Sequence, residues 1–367
     1  MKAVVAIDSM KGCLGSAEAS EACAAGLREA WPDAEVIVVP VADGGEGTAA
    51  AIAFSDKSII RKTDRVLGPD GTPTIAEWWL DAAKKTAYID LAAAAGLTLV
   101  PQERRNPLTA TTFGVGQLIL AAASEGARHI VLGLGGSATV DGGAGACEAL
   151  GVRFGVDHID VSHIDNRLKD IDLHLACDVT APFTGEKGAA RVFGPQKGAD
   201  PTQVKLLEER LERLRLLILR QFGIDLNEVP GSGAAGGCAG GLMALAGGKI
   251  ENGAALVLDS IGFDRIIAGA DLMVTGEGSA DRQTLMGKLP SEILRRGQKA
   301  GIPVALAAGR ITDAEALSEA GFAAIIDINS EANARRSGTE GQEAMDSGVA
   351  TRRLRTSLWD YVQNGRS

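Results

Sequence analysis

The segment GLGGSATVDGGAG at residues 133–145 carries residue types suited to binding an anion, and it directly follows an apolar run at residues 130–132. Glycine lets backbone N–H groups approach an anion closely, and the hydroxyls of Ser137 and Thr139 offer further ligands. The Asp141 carboxylate would repel an anion unless a metal ion stands between them. The segment therefore indicates a site for an anion together with a metal ion.

Three other loops place carboxylates and glycines directly after apolar runs that we predict to be strands. They are DSMKG at residues 8–12, DGGEGT at residues 43–48 and GEGSAD at residues 276–281. In an open α/β sheet, ligands bind beyond the carboxyl ends of the strands, where the strand order reverses. Carboxylates, a lysine and glycines at that edge are typical of Mg²⁺-assisted phosphate chemistry. Asp8 and Asp43 alone also fit a turn, a helix cap or a surface ion pair, whereas a turn does not need Glu277 between its two glycines. The prediction depends on the three loops together.

The middle of the chain offers further candidates for anion binding. The segment RRNPLTATT places Arg105 and several hydroxyls before a predicted helix, where they fit either an anion site or a threonine-rich helix cap. FGPQKG carries Lys197 in a turn, which is either a plain loop or a phosphate contact. GSGAAGGCAGG at residues 231–241 fits either a phosphate-binding helix entry or close helix packing through small residues.

Two familiar nucleotide-binding signatures give opposite results. The pattern G-x-x-x-x-G-K-[ST] does not occur in the sequence, which excludes a P-loop enzyme. Gly133-x-Gly135-x-x-Ala138 fits the looser dinucleotide fingerprint, and Asp157 lies roughly twenty residues beyond it. An NAD(P)-dependent hydroxy-acid dehydrogenase is therefore an alternative function. Against it, Asp141 would face the pyrophosphate, and that fingerprint normally follows the first strand of a domain.

Short apolar runs separated by helix-length segments predict the sheet that must position the strand-end loops. The predicted strands span residues 1–8, 35–41, 271–275, 303–308 and 323–328. They form a parallel sheet in the order 2-1-3-4-5. Ser16 is the predicted N-cap of a helix that continues to about residue 30.

The pattern changes near residue 59. A Pro-Asp-Gly turn at residues 69–71 separates two extended segments, which predicts antiparallel pairing. The fold class is therefore α/β with two domains. A discontinuous Rossmann- or flavodoxin-like domain (residues 1–59 and 262–367) has the parallel five-stranded sheet, and an inserted mixed-sheet α/β domain spans residues 60–261. The inserted domain includes an amphipathic helix that begins at Asp200-Pro201, and we predict the polar segment 330–348 to be a loop.

Composition and charge exclude several classes of partner. The chain has 367 residues and a net charge of −10 without dense Lys/Arg blocks, so nucleic acid and anionic membranes are not expected partners. Its five widely spaced cysteines include no C-x-x-C pair and indicate thiols in a reducing compartment. The apolar run at residues 3–7 is too short for a signal peptide. We therefore expect a cytoplasmic monomer or homodimer that acts on a small molecule.

Several motifs, in this order along the chain, resemble those of the bacterial glycerate kinase family, type I, whose members are glycerate 2-kinases. They are AIDSMKGCLGS, PVADGGEGT, ERRNPLTATT, GLGGSATVDGGAG, ACDVTAPFTGEKGA, VFGPQKGA, GAAGG and TGEGSADRQTLMGK. The resemblance implies ATP-dependent phosphorylation of D-glycerate with Mg²⁺, in a cleft between two α/β domains, and the family favours position 2. Met10 stands where the family usually has phenylalanine, and Met286 where histidine is common. The region 152–164 is also shorter than is usual in the family.

Chemistry then assigns the expected catalytic and metal-binding roles. A carboxylate should accept the proton of the attacking glycerate hydroxyl, and Asp8 is the first choice for this base, with Asp281 second. Lys11 would offset charge on the transferring phosphoryl group. Glu277, Asp281 and Asp43 are the predicted Mg²⁺ ligands, since their carboxylate oxygens are hard donors.

The remaining assignments concern the substrate and the nucleotide. Arg105 is predicted to bind the glycerate carboxylate, because its planar fork matches two oxygens. The other predicted substrate-binding residues are Asn106, Thr112, Ser137 and Asp141. The predicted nucleotide- or phosphate-binding residues are Ser9, Gly44, Gly45, Gly135, Gly136, Lys197, Gly236, Gly237 and Lys288. A non-catalytic small-molecule binding protein is a third functional class, which the many carboxylates among phosphate-type loops disfavour.

Overall fold

The computed structural model of the chain describes residues 1–10, 13–342 and 346–364. The chain folds as two compact units. Unit 1 consists of Met1–Asp43 and Ala254–Ser367, and unit 2 of Gly44–Gly253. Unit 1 contains a parallel five-stranded sheet and unit 2 a mixed six-stranded sheet, so the predicted fold class is confirmed. Unit 1 is discontinuous in sequence because unit 2 is inserted after its second strand.

The strands and helices follow one another along both units. The strands are β1 (Lys2–Ile7), β2 (Glu35–Val38), β3 (Ile60–Leu67), β4 (Pro73–Asp81), β5 (Thr86–Asp90), β6 (His129–Gly133), β7 (Arg153–Phe154), β8 (Ile159–Asp160), β9 (Asp172–Cys177), β10 (Lys249–Asn252), β11 (Leu272–Ala280), β12 (Val304–Ile311) and β13 (Ala324–Asp327). The α-helices are α1 (Ser16–Ala30), α2 (Thr48–Ser55), α3 (Ala92–Ala95), α4 (Phe113–Ser124), α5 (Ala144–Ala149), α6 (Ala189–Phe193), α7 (Pro201–Phe222), α8 (Cys238–Ala246), α9 (Gly253–Ser260), α10 (Phe263–Ile266), α11 (Leu289–Ala300), α12 (Ala314–Glu319), α13 (Glu331–Arg336) and α14 (Ser347–Asn364).

The five-stranded sheet of unit 1 has the order β13-β12-β11-β1-β2, with every neighbouring pair parallel. This is the predicted order 2-1-3-4-5. Alternate residues of β1 face two different cores. Ala3, Val5 and Ile7 pack with α1 and α14, whereas Val4 and Ala6 pack with α9, α10 and α11. A parallel strand covered on both faces reads as a continuous apolar run, which is why its location could be predicted.

Two local predictions in unit 1 need correction. Strands β11 and β12 extend beyond residues 275 and 308, because pairing continues as far as Ala280 and Ile311. Ser16 is not the N-cap of α1, since Gly15 holds that position. The Ser16 hydroxyl instead donates to the Ile7 carbonyl at 2.6 Å and accepts from the Val41 N–H at 2.9 Å. It therefore joins the end of β1 to the chain that follows β2.

The six-stranded sheet of unit 2 has the order β10-β9-β6-β5-β4-β3. The strands from β10 to β5 are parallel, and β5, β4 and β3 form an antiparallel meander. The meander includes the β3–β4 pairing predicted from the turn at residues 69–71. Helix α7 begins as predicted, with the Asp200 carboxylate accepting from the Gln203 N–H at 2.8 Å. Helix α2 also belongs to unit 2, because the buried Asp90 carboxylate at the end of β5 accepts hydrogen bonds at its first turn. The unit boundary therefore precedes α2, whereas the expected domain boundary at residue 59 follows it.

The polar segment predicted as a loop contains α13. The helix begins after Ser330, whose hydroxyl accepts from the Asn333 N–H. Arg353 of α14 is 5% exposed and holds the following turn, donating to Asn329 Oδ1, to the Thr339 hydroxyl and to the carbonyls of Thr339 and Gln342. These hydrogen bonds order residues 330–342 despite their polar composition. Residues 343–345 of the predicted loop lie outside the described residues. Among the described residues, no helix combines the length and apolar character needed to cross a bilayer.

Replacing Arg353 with methionine should lower the free energy of unfolding of the protein. The variant keeps much of the side-chain volume but leaves the buried Thr339 carbonyl without its charged donor, which costs on the order of 1–3 kcal/mol. Urea denaturation followed by circular dichroism measures the change. Arg352→Met, at the exposed neighbouring position, is the matched control. Equal stability of the two variants would contradict the role assigned to Arg353.

Candidate functional site

The first group of predicted site residues lies at the carboxyl ends of β1 and β11. These strands pair with Ile7 opposite Gly276, and the Asp8 N–H donates to the Gly276 carbonyl at 2.9 Å. Asp8 and Glu277 therefore follow this pair on neighbouring strands. The Ser9 N–H donates to Asp8 Oδ1 at 2.7 Å and fixes that carboxylate. The structure thus brings Asp8, Ser9 and Glu277 to one edge of the sheet.

Glu277 is the most buried carboxylate of this group, with 8% of the residue exposed. Its Oε1 accepts from the Thr284 hydroxyl at 2.6 Å, and Lys288 Nζ lies 3.6 Å from its Oε2. Burial raises the pKa of Glu277 above its ordinary value, and the charge of Asp281 adds to the rise. The Thr284 hydrogen bond and the Lys288 charge act in the opposite direction.

Asp281 caps the short 3₁₀ turn at residues 282–285, where its Oδ1 accepts from the Gln283 N–H at 2.7 Å. Its own N–H donates to the Thr284 hydroxyl at 2.9 Å, so Thr284 bridges Asp281 and Glu277. The sequence reasoning missed Thr284, because a single threonine in TLMGK carries no signal of its own. Of the other predicted residues, Asp43 follows β2, and Lys11 lies outside the described residues.

The glycine-rich segment of unit 2 lies against a second glycine-containing loop. The Leu134 N–H donates to the Gly44 carbonyl at 3.0 Å. A Cβ atom on Gly135 would lie 2.4 Å from Gly45 Cα, and Gly136 adopts a φ of +71°. The structure therefore brings Gly44, Gly45, Gly135 and Gly136 together. Two backbones approach here more closely than any side chain would allow.

The predicted phosphate-binding glycines Gly236 and Gly237 pack against the same segment. A Cβ atom on Gly236 would lie 2.0 Å from the Thr139 carbonyl oxygen, and the Gly142 N–H donates to the Gly236 carbonyl at 3.0 Å. A Cβ atom on Gly237 would lie 2.9 Å from Gly142 Cα. These contacts match the close-packing alternative for residues 231–241.

Lys197 reaches the glycine-rich segment from the short 3₁₀ turn at residues 195–197. Its ammonium donates to the Ser137 hydroxyl and to the Thr139 carbonyl, each at 2.7 Å, while the residue is only 3% exposed. Burial lowers the pKa of Lys197 to about 7, although the negative charge of Asp141 acts in the opposite direction. A cation that loses its proton near neutrality therefore lies beside the Ser137 hydroxyl.

The Asp141 carboxylate accepts hydrogen bonds from backbone and side-chain groups of two neighbouring loops. It accepts from the N–H and the hydroxyl of Thr112, each at 2.8 Å, and from the N–H groups of Gly143 and Gly145 at 3.0 and 3.2 Å. The Thr112 hydroxyl in turn accepts from the Ala146 N–H at 2.9 Å. The anion bound by these glycine amides is thus Asp141, which joins the start of α4 to the start of α5.

Arg105 and Asn106 lie on the loop before α4. The Arg105 Nε–H donates to the Val100 carbonyl at 3.3 Å, and the Arg105 backbone packs against Gly198, next to Lys197. Asn106 is exposed, and its side-chain oxygen accepts from the Leu108 N–H at 3.1 Å. The structure therefore places Arg105 near the Lys197 turn, while the Asn106 side chain stabilises its own loop.

Asp90 is a buried titratable group that the sequence reasoning missed. Its carboxylate accepts from the N–H groups of Gly47 and Ala49, each at 3.1 Å, and burial raises its pKa to about 7. A Cβ atom on Gly133 would lie 2.9 Å from Asp90 Oδ1. Asp90 ends β5, so the strand-end rule that selected Asp8 could also have selected it.

Comparison with known proteins shows which family the chain belongs to. The family described as the Glycerate kinase family matches residues 3–351. The chain belongs to the glycerate kinase family. It is 42% identical over 329 residues to the protein named glycerate 2-kinase of Escherichia coli K12, covering 85% of this chain and 86% of that protein. It is also 42% identical to the glycerate kinase of Bacillus cereus ATCC 10987, covering 89% and 90% of the two chains.

A solved structure supports the same relationship. The crystal structure of a candidate glycerate kinase 2 from Salmonella typhimurium LT2 matches this chain with a TM-score of 0.80 and 36% sequence identity. The match covers 100% of this chain and 98% of the other.

The geometry of the glycine-rich segment also disfavours the dehydrogenase alternative for this glycerate kinase family member. In a dinucleotide fingerprint the glycines open the helix that binds the pyrophosphate. Here α5 begins only at Ala144, after the fingerprint residues Gly133, Gly135 and Ala138. Asp157 lies on the exposed turn between β7 and β8, away from the end of any long strand.

The lowered pKa of Lys197 makes a specific contribution to stability. Between pH 7 and about pH 10 the unfolded chain keeps a proton on this lysine that the folded chain has lost. Stability rises with pH wherever the unfolded state binds more protons. The unfolding free energy of the wild type, relative to Lys197→Met, should therefore increase between pH 7 and pH 9, by up to about 2.5 kcal/mol. Urea denaturation at both pH values measures it.

The matched control for this measurement is Lys187→Met, which alters an exposed lysine in the same unit. Its stability difference from the wild type should not change with pH. A pH-independent difference for Lys197→Met as well would contradict the lowered pKa.

Proposed function

We propose that this protein phosphorylates D-glycerate with ATP and releases 2-phosphoglycerate and ADP. The observation that carries the proposal is the family match over residues 3–351, together with 42% identity to a protein named glycerate 2-kinase. The fold adds support, because Asp8 and Ser9 follow β1 and Glu277 lies toward the carboxyl end of the adjacent parallel strand β11, at the edge where α/β proteins bind ligands.

Asp8 is the general base of the proposed reaction. Its carboxylate accepts the proton of the glycerate 2-hydroxyl as the oxygen attacks the γ-phosphorus of ATP, and the bond to the β,γ-bridging oxygen breaks. The hydrogen bond from the Ser9 N–H holds Asp8 Oδ1 in one orientation. A positioned base is required because phosphoryl transfer depends mainly on alignment and on charge stabilisation. Asp281 is the second candidate for this role.

Glu277 and Asp281 are the proposed residues that hold Mg²⁺, with Asp43 as a further ligand. Their carboxylate oxygens are the hard donors that Mg²⁺ prefers. The fit is supported by the raised pKa of Glu277, since burial and the nearby Asp281 charge disfavour its ionised form and a divalent cation would favour it. When bound, the ion neutralises charge on the ATP phosphates.

Cationic and hydroxyl groups near these carboxylates complete the proposed phosphate contacts. Lys288 is about one-third exposed at the start of α11, and 3.6 Å separates its Nζ from Glu277. A lysine at this distance can reorient toward a phosphate at small cost. Lys11 and Ser9 are assigned to the same phosphates from their place in the strand-end loop.

Unit 2 supplies the proposed contacts to the substrate. Ser137 accepts a hydrogen bond from the Lys197 ammonium, so its own O–H proton can be donated to a substrate oxygen. Arg105 binds the glycerate carboxylate in this proposal, and its Nε hydrogen bond to Val100 holds the guanidinium plane. Asp141 and Thr112 act by positioning the glycine-rich segment, because their polar atoms already bond to the chain.

An ADP-release assay across small hydroxy acids tests this function. ADP formation should require both D-glycerate and Mg²⁺, and ³¹P NMR should identify the product as 2-phosphoglycerate. Reduction of NAD(P)⁺ by a hydroxy acid without ATP would instead support the dehydrogenase. Binding of D-glycerate without turnover would support a non-catalytic binding protein.

Glu277→Gln tests the assignment of the magnesium site. The variant removes the charge and keeps the shape, so the Mg²⁺ concentration for half-maximal rate should rise at least about tenfold and kcat should fall. The control is Glu319→Gln, an exposed position in the same unit. An unchanged Mg²⁺ requirement in Glu277→Gln would contradict the assignment.

A further inference from the structure

Five polar side chains form a cluster on one face of the six-stranded sheet, here called the histidine cluster: His129, Asp172, His174, Lys249 and Glu251. His129 lies opposite Asp172 on the neighbouring strand, and Lys249 lies opposite His174. Residues two apart on a strand share a face, which adds Glu251 to the group. None of these residues belongs to the proposed phosphoryl-transfer machinery.

The histidine cluster lies at the opposite end of the strands from the glycine-rich segment. His129 begins β6 and Asp172 begins β9, whereas Gly133 ends β6 and leads into that segment. His129 and Gly133 are four positions apart on an extended strand, which corresponds to roughly 13 Å. Any function of the cluster is therefore separate from that of Ser137 and Lys197.

Three side chains of the cluster offer ligand atoms around one point. His174 Nε2 lies 3.2 Å from Asp172 Oδ2, and His129 Nδ1 lies 3.9 Å from the same oxygen. All three ligand atoms lie within 4.8 Å of one another. Donor atoms around a tetrahedral Zn²⁺ stand about 3.4 Å apart, given metal–ligand distances near 2.0–2.1 Å. Small side-chain rotations would therefore complete a three-ligand set.

A hydrogen bond orients the central ligand. His174 Nδ1–H donates a hydrogen bond to the Glu251 carboxylate. In a neutral imidazole with its proton on Nδ1, the Nε2 lone pair would face Asp172 Oδ2, and two such acceptors at 3.2 Å repel unless a proton or a metal ion lies between them. A carboxylate that holds the second nitrogen of a histidine ligand is a recurrent feature of metal sites.

The other groups of the cluster leave this point open to a metal ion. Lys249 donates to Asp172 Oδ1, so it engages the oxygen that does not face the histidines. The side chains of His129, Asp172 and His174 are 51%, 35% and 20% exposed, which gives an ion access without unfolding. Two imidazoles and one carboxylate suit Zn²⁺, Ni²⁺ or Cu²⁺, whereas Mg²⁺ prefers oxygen donors alone.

We propose that the histidine cluster is a binding site for a divalent transition-metal ion such as Zn²⁺, with His129, Asp172 and His174 as ligands and Glu251 as the positioning residue for His174. The ion joins β6 to β9 and stabilises unit 2. This site is independent of the magnesium site proposed for phosphoryl transfer, because it shares no residue with it.

Calorimetric titration of the chelator-treated full-length protein with Zn²⁺, without Mg²⁺ or nucleotide, tests the proposal. One site should saturate in the wild type, and affinity should fall at least about 100-fold in Asp172→Asn and His174→Gln. Loss of an outer-shell partner typically costs about 10- to 100-fold, which is the expectation for Glu251→Gln. The control is His163→Gln. In the wild type this histidine also lies near an aspartate, with 3.6 Å between His163 Nε2 and Asp160 Oδ2.

A thermal-shift measurement keeps the test decisive if a variant folds poorly. Zn²⁺ should raise the Tm of the wild type and of His163→Gln, but not that of His129→Gln, which alters a half-exposed residue at the start of β6. Absence of Zn²⁺ binding in the wild type would overturn the proposal and leave a proton-bridged ion cluster. Zn²⁺ binding that persists in both Asp172→Asn and His174→Gln would overturn it as well.

Discussion

The parallel pairing of β1 with β11 is the constraint on which the candidate site depends. Because Ile7 lies opposite Gly276, the next residue on each strand is a carboxylate at the same edge of the sheet. The register is held by burial on both faces, since Ala3 to Ile7 are all less than 2% exposed. The sheet fixes the position of the Glu277 carboxylate, which accepts a hydrogen bond from Thr284 and lies beside the Lys288 ammonium.

The glycine-rich segment of unit 2 combines close backbone packing with binding of a buried carboxylate. Its glycines allow close backbone contact with Gly45 and with Gly236, and its amides bind the Asp141 carboxylate. The buried Lys197 ammonium donates a hydrogen bond to the Ser137 hydroxyl of this segment. The Asp141 carboxylate is therefore compatible with its glycine-rich surroundings, because the backbone amides of Gly143 and Gly145 bind it directly.

The sequence allowed prediction of features that depend on local patterns. Buried strands, the antiparallel meander and the start of α7 each follow from apolar runs or turn residues within a few positions. Ser16, Thr284 and Asp90 were misassigned or missed because their partners lie far away in sequence or carry no local signal. Asp90, for example, binds the N–H of Ala49, which lies 41 residues earlier. Gly236 shows the same limit, since a phosphate-binding glycine and a tightly packed glycine look identical in a sequence.

The catalytic assignments rest on the same sheet edge, and one substitution tests them most directly. The kcat for ADP release by Asp8→Asn, compared with Asp33→Asn at an exposed position of unit 1, isolates the proposed base. A positioned base contributes about 10²- to 10⁴-fold, so kcat of Asp8→Asn should fall by at least about 100-fold with an unchanged circular dichroism spectrum. A near-wild-type kcat in that variant would contradict catalysis at the carboxyl ends of β1 and β11.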